Sequence, residues 1–369
     1  MNNSLNNTKD HLPSNVVFLP WNHPANVLSY EAYLTAVYYY TTVVKPVIVG
    51  VGVPANIVNC IVFKHQGLKD RMNLCLFVLA LVDMIYLAYS ITISLAFWIQ
   101  IVEPVLGEEI YVKTLYYAHG VNYGFRDASA WVSVVIAVER CVCVVLPLQA
   151  NTLMSTRTMG ILLATIVIGM QLAFVTTPLK KYVYPVYDAT TGGTRWKVTT
   201  SAAWQNSEAL LLYEKVEDTF ILIAFPLFIF IFVSGATTIT VVKLRAAISW
   251  REKSSAVSSD SQVQQVALTK MLVLLSCVFI ACKVPWVILT VARFIYPEFS
   301  PSGSQYNLFR VSELAAQFFV YSHSAVNFFI YYSRSSRFKS HLGLLCGCSR
   351  KQTDDLHKTT VVSEVNKAK

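Results

Sequence analysis

Seven long apolar stretches, each set off by polar or charged punctuation, limit what this chain can fold into more than anything else in it. They run roughly over 37–63, 73–99, 114–146, 159–179, 217–244, 267–295 and 311–332. A helix needs about 20 mostly apolar residues to cross a bilayer, and each stretch approaches or exceeds that length. Of the 369 residues, 54% are hydrophobic and 14% charged, where soluble domains carry about 25% charged residues. The stretches are continuous and not alternating, which favours helices over barrel strands. The expected fold class is an all-α membrane protein. A polar tail over 1–36 leads into a seven-transmembrane helix bundle over 37–332. A short amphipathic helix over 333–348 and a polar tail over 349–369 follow.

Basic residues set the expected orientation. Lys64, Lys69, Arg71, Arg140, Arg157, Lys243, Arg245, Arg251, Lys253, Lys270 and the basic segment from Arg334 onward fall on one side. Most acids, among them Glu103, Glu108, Glu208 and Glu298, fall on the other. The N-terminus is therefore expected outside the plasma membrane and the C-terminus in the cytoplasm. The net charge of +9 follows from this asymmetry and gives no reason to expect nucleic acid as a partner. The first thirty residues lack the basic start and apolar stretch of a cleavable signal peptide. Sequons at Asn2 and Asn6 agree with an outside N-terminus. No cysteine falls in an external loop, so no external disulfide is expected. The longest external loop, about 179–216, carries Thr-Thr-Gly-Gly at 190–193, a turn between two extended arms. In 333–348, Phe338, Leu342 and Leu345 share one helical face, suited to the inner membrane surface and its lipid. Cys346 and Cys348 just beyond it are candidate palmitoylation sites.

Polar residues inside the spans narrow the class. Asn56 lies in the first, Asp83 in the second, and Glu139-Arg140-Cys141 ends the third, with Pro147 after it. Pro226 lies in the fifth, Phe279, Cys282 and Pro285 in the sixth, and Asn327 and Tyr331 in "NFFIYYSRSSRF" of the seventh. In this order and spacing the set resembles rhodopsin-like (class A) G-protein-coupled receptors over about 37–348. It looks most like invertebrate, especially molluscan, chemosensory-type and FMRFamide-receptor-like receptors. The resemblance implies an activation switch of Glu139, Arg140, Phe279, Lys283, Pro285, Asn327 and Tyr331. In it, Glu139 holds Arg140 until helices shift; simple snorkelling of Arg140 at the membrane edge is the alternative. It also implies a sodium ion as allosteric modulator on Asp83, with Ser129, His323, Ser324 and Asn327. A protonated Asp83 bonded among helices is the other reading; intramembrane acids are rare and usually functional. No other cofactor is expected. The implied partners are a heterotrimeric G protein, met by Arg140, Arg245 and Lys270, and arrestin with a receptor kinase. Ser254, Ser255, Ser258, Ser259, Thr359 and Ser363 are available for phosphorylation.

The chain also departs from that pattern. Leu115 stands where a cysteine usually ties down the external lid, Lys283 where an aromatic is usual, and Phe328 where a proline is usual. Ser234 replaces a fifth-span tyrosine. The third span has Asn122 where amine receptors hold an acid, and the seventh has Tyr321 where opsins hold a lysine. The pocket expected from the resemblance comprises His119, Asn122, Tyr123, Arg126, Asp127, Lys283, Glu313 and Gln317. Neighbours on a helix point about 100° apart, so Arg126 and Asp127 need not pair. Two cations, Arg126 and Lys283, would repel each other in a low dielectric. Either a peptide or small acidic ligand relieves them, or Asp127 and Glu313 do so internally. The expected function is a receptor for a chemosensory small molecule or a neuropeptide, not an enzyme: no hydrolase or metalloprotease motif appears. A secondary transporter is the alternative class, although the paired broken helices of its two related halves are not found.

Overall fold

The computed structural model describes residues 19–189, 192–254 and 260–345. Asn2, Asn6, Cys346, Cys348, Ser255, Ser258, Ser259, Thr359 and Ser363 lie outside the described residues. Six helical spans are long and apolar enough to cross a membrane. They are α1 (Tyr30–Gln66), α2 (Arg71–Val102), α3 (Pro104–Val145), α4 (Thr156–Lys180), α5 (Glu208–Trp250) and α6, which runs over Asp260–Ile295. A seventh, α7 (Tyr306–Arg334), has 29 residues, about 43 Å at 1.5 Å per residue. It is less apolar because Asn307, His323, Ser324 and Asn327 are buried in it, facing protein and not lipid. The short helix α8 (Ser336–Leu345) follows. The chain is an all-α, seven-helix membrane bundle that crosses the bilayer several times.

The helix boundaries are legible in local chemistry. Ser29 caps α1 by accepting from the Ala32 amide at 3.2 Å. Asp70 caps α2 by accepting from Met72 and Asn73 at 2.8 and 3.2 Å. Ser155 caps α4 through the Thr158 amide. Gly67 ends α1 at φ 96°, a conformation that a side chain disfavours. Helix α7 closes the ring by packing on both α1 and α6. The helices α1, α2 and α7 approach closely at Gly52, where an added Cβ would lie 2.6 Å from Leu87 and 2.9 Å from Ala325. Beside it Asn56 donates to the Gly52 carbonyl at 3.0 Å and the Ser324 carbonyl at 2.7 Å, tying α1 to α7. The main core lies toward the α8 end, around Phe63, Leu76, Leu79, Ile136, Met159 and Leu272.

At the opposite end, α4 and α5 are joined by an antiparallel hairpin, β1 (Lys181–Asp188) and β2 (Gly193–Thr200). This is the pair of extended arms that the Thr-Thr-Gly-Gly turn implied. The lid is held without a disulfide among the described residues. The Val183 amide donates to the Tyr117 hydroxyl at 2.9 Å, and the Lys113 ammonium lies 4.5 Å from the Trp196 ring centre. The segment before α1 is fastened to α7 by Asn307, whose amide nitrogen donates to the Trp21 and Leu28 carbonyls at 3.0 and 2.9 Å.

Helix α8 docks through Phe338, which is fully buried against Phe63, Phe328 and Tyr331. Leu342 packs on the same core, while Leu345 on that face stays exposed. The His65 and His341 Nδ1 atoms meet at 3.0 Å. One ring must donate and the other accept, so the contact needs a neutral imidazole. Burial, then His65 and Arg337, hold His341 below the ordinary histidine range. A lowered value in the docked state means that the contact is intact above about pH 6.5. It weakens as pH falls through the lowered value. Amide exchange in α8, corrected for intrinsic rates, is expected to rise between pH 7.5 and 5.5. A His341→Phe chain, with no imidazole to titrate there, is expected to lack that rise.

Candidate functional site

The polar side chains of the bundle interior form three groups stacked along α3. The first is the charge group at the α8 end. Glu139, completely buried, accepts from Arg140 through both oxygens, with Nη2 to Oε1 at 2.6 Å. A second guanidinium reaches the same carboxylate: Arg71 Nε lies 2.8 Å from Glu139 Oε1. The Cys143 thiol donates to Oε1 at 3.2 Å. Arg71 also donates to the Met154 carbonyl at 3.3 Å, joining α2 to the α3–α4 connection. One carboxylate between two guanidinia is satisfied and cannot be vacated by one arginine alone. Sequence reasoning placed Arg71 only among the topology-setting basic residues. Its position directly after the Asp70 cap, which fixes where α2 begins, was the available signal. A crevice of about 460 Å³ opens beside this group, lined by Arg140, Arg71, Gln265 and Leu268. Arg245 and Lys270 are exposed and do not line it, because they point away from the interior face of their helices.

The middle group surrounds Asp83, which has no exposed surface. Its Oδ1 accepts from Ser129 at 2.6 Å and Ser324 at 2.8 Å, and its Oδ2 from Asn327 at 3.0 Å. Helices α2, α3 and α7 are thereby tied at one carboxylate. The buried Asn327 Oδ1 has no hydrogen-bond donor. One carboxylate, two hydroxyls and a free amide oxygen form a set of hard donors, which fits a monovalent cation. His323 does not join them. It packs edge-on against Phe279 with ring centres 5.1 Å apart, and its Nε2 is buried without a partner. The reason is positional: Ser324 and Asn327 share the α7 face toward Asp83, while His323 is turned toward α6. Tyr331, also buried, lies in the Phe63 and Phe338 cluster, and its hydroxyl is unpaired.

The third group lies toward the hairpin. Here the structure corrects the expectation that Arg126 and Asp127 need not pair. Arg126 Nε and Nη2 donate to the two oxygens of Asp127 at 2.7 and 3.1 Å. Long side chains bridge the angular offset, and desolvation drives them together. The guanidinium is also stacked between Tyr123, at 4.6 Å, and Trp286, at 5.5 Å. Glu313 is likewise taken, by Arg310 one turn away at 2.5 Å, and so does not neutralise Arg126 or Lys283. Asn122 is buried and exchanges long hydrogen bonds with Ser90 of α2 at 3.4 and 3.5 Å. His119 meets Tyr123 edge-on with ring centres 4.4 Å apart, and Gln317 is half-buried on α7. Lys283 sits over the Phe279 ring at 5.6 Å, two residues from the in-helix Pro285. Two narrow crevices flank it, of about 10 and 20 Å³. No group of three or more His, Cys, Asp or Glu side chains suited to a metal ion occurs among the described residues.

No curated protein matches the sequence. A family model does, over residues 43–349, which takes in α1 from its residue 43 onward and all of α2 to α8. Its description is serpentine type 7TM GPCR chemoreceptor Srw. The seven-helix receptor architecture expected from the sequence is thus shown, under a chemoreceptor heading and not a rhodopsin-like or FMRFamide-type one. The chain belongs to the Srw family of serpentine seven-transmembrane chemoreceptors.

Proposed function

We propose that this protein is a plasma-membrane chemosensory receptor that activates a heterotrimeric G protein. Its N-terminus lies outside and its α8 end in the cytoplasm. The observation that carries this reading is the buried Glu139 held between Arg140 and Arg71 beside an open crevice. An ion pair at the edge of a helical bundle, with a competing partner to hand, is a two-state element. Outward movement of α6 would widen that crevice and offer Arg140 to a partner. A rhodopsin-like form of switching, through Phe279, Lys283, Pro285, Asn327 and Tyr331, belongs to this proposal. So do arrestin and a receptor kinase as later partners.

The ligand is read as a small molecule in preference to a neuropeptide, because the crevices at mid-bundle are narrow. Sodium is read as a modulator held by Asp83, Ser129, Ser324 and the free Asn327 oxygen. A cation there would supply the positive charge that a buried carboxylate lacks, and would favour the arrangement that keeps α2, α3 and α7 together.

In cells expressing the chain with a G protein, Arg140→Ala is expected to abolish nucleotide exchange at unchanged surface expression. Glu139→Gln is expected to raise basal exchange severalfold, because both guanidinia then lose their carboxylate. Solute or ion flux without nucleotide exchange would point instead to a transporter. For the purified chain in detergent, sodium is expected to raise Tm by several degrees over the same concentration of potassium. Asp83→Asn is expected to remove that difference.

A further inference from the structure

Lys283 is half-buried and lines both mid-bundle crevices, with no hydrogen bond or ion pair among the described residues; its ammonium lies 5.6 Å from the centre of the Phe279 ring. Its neighbour Arg126 shares the same crevice but is fully served, by both oxygens of Asp127 and by two aromatic faces. Among the described residues Asp127 is the only carboxylate lining the larger crevice, beside two cations, and it is committed to the arginine. Trp131 lines the same crevice, and its buried Nε1 has no acceptor. An indole nitrogen donates and never accepts. The remaining wall is apolar, with Phe225, Ile229 and Trp286. An unpaired ammonium and an unpaired N–H donor at one small, largely apolar space leave two donors that the protein itself does not serve. Both defects are cured by the same object, a group carrying negative charge on two acceptor atoms.

We infer that the crevice between α3, α5 and α6 receives the carboxylate of an acidic, otherwise apolar ligand, with Lys283 as its counter-ion and Trp131 as a hydrogen-bond donor. The sequence pointed to Arg126 and Lys283 as joint anion-binding groups; the geometry retires Arg126 to a structural pair and adds Trp131. The crevice has about 20 Å³ of free volume, near the 10–15 Å³ that one water-sized group needs, so a carboxylate enters by pushing the apolar wall side chains outward. A neutral amine or alcohol finds no free acceptor there. A cation meets two positive charges.

This assignment rests on the receptor reading for its biological meaning, but the binding is measured without signalling. The purified full chain in detergent would be heated with each straight-chain carboxylate from acetate to octanoate, and with the amide of equal length. At least one acid is expected to raise Tm more than its amide. That advantage is expected to vanish in Lys283→Met and to shrink in Trp131→Phe, while Lys283→Arg retains part of it. The ligand-free Lys283→Met chain is expected to melt no lower than the wild type, since it loses an uncompensated charge. If no acid exceeds its amide, or the advantage survives Lys283→Met, the inference is overturned. Should Lys283→Met not fold, an advantage left unchanged by Trp131→Phe overturns it equally. A positive result alongside absent nucleotide exchange would sink the G-protein reading and leave the carboxylate site standing.

Discussion

A charge surrounded by hydrocarbon must find its partner inside the protein, and this bundle is organised around that requirement. Water cannot serve buried polar groups at mid-membrane, and lipid cannot serve them at all. Three ionisable side chains of the interior, Asp83, Glu139 and Arg126, therefore draw helices together. Asp83 joins α2, α3 and α7 through Ser129, Ser324 and Asn327. Glu139 joins α3 to the start of α2 through Arg71. Arg126 consumes Asp127 and wedges between Tyr123 of α3 and Trp286 of α6. In an apolar solvent, helix association gains little from hydrophobicity, so such contacts and close packing carry the specificity. Gly52 is the packing counterpart: α1, α2 and α7 meet where no Cβ fits.

The same requirement gives the molecule its capacity to switch. A carboxylate held by two guanidinia has two ways to remain satisfied when one is withdrawn. Glu139 can release Arg140 and keep Arg71, at a cost well below that of stranding the acid. The lid at the other end is tied by weaker links, a Tyr117 hydroxyl, the Lys113–Trp196 contact and the Asn307 bonds to the segment before α1. There is no covalent clamp at that end among the described residues. A ligand reaching Lys283 would enter from there, and α6 links that position to the crevice beside Arg140 within one helix.

Much of this was legible in the sequence, for reasons that are physical. Apolar length alone announces spans, because a bilayer has a fixed thickness. Polar residues embedded in those spans announce a site, because they are too costly to keep idle. The hairpin was legible because Thr-Thr-Gly-Gly is turn chemistry between extended arms. The apolar face of α8 was legible in the spacing of Phe338, Leu342 and Leu345, but it was expected to meet the inner membrane surface, and Phe338 and Leu342 pack on the bundle core. His323 was grouped with Asp83 on proximity in sequence, and one position along a helix turned it toward Phe279 instead.

The sequence by itself determined the membrane, the seven helices, and the identity of the charges that had to be neutralised within them. Only the tertiary structure decided which charge satisfies which. Pairing depends on where side chains from different helices converge, and that is set by rotation and close approach, which no linear spacing encodes. So Arg71 became a partner of Glu139, Glu313 was taken by Arg310, and Asp127 by Arg126. Lys283 was left facing a crevice with a cation's need and no acid of its own to meet it.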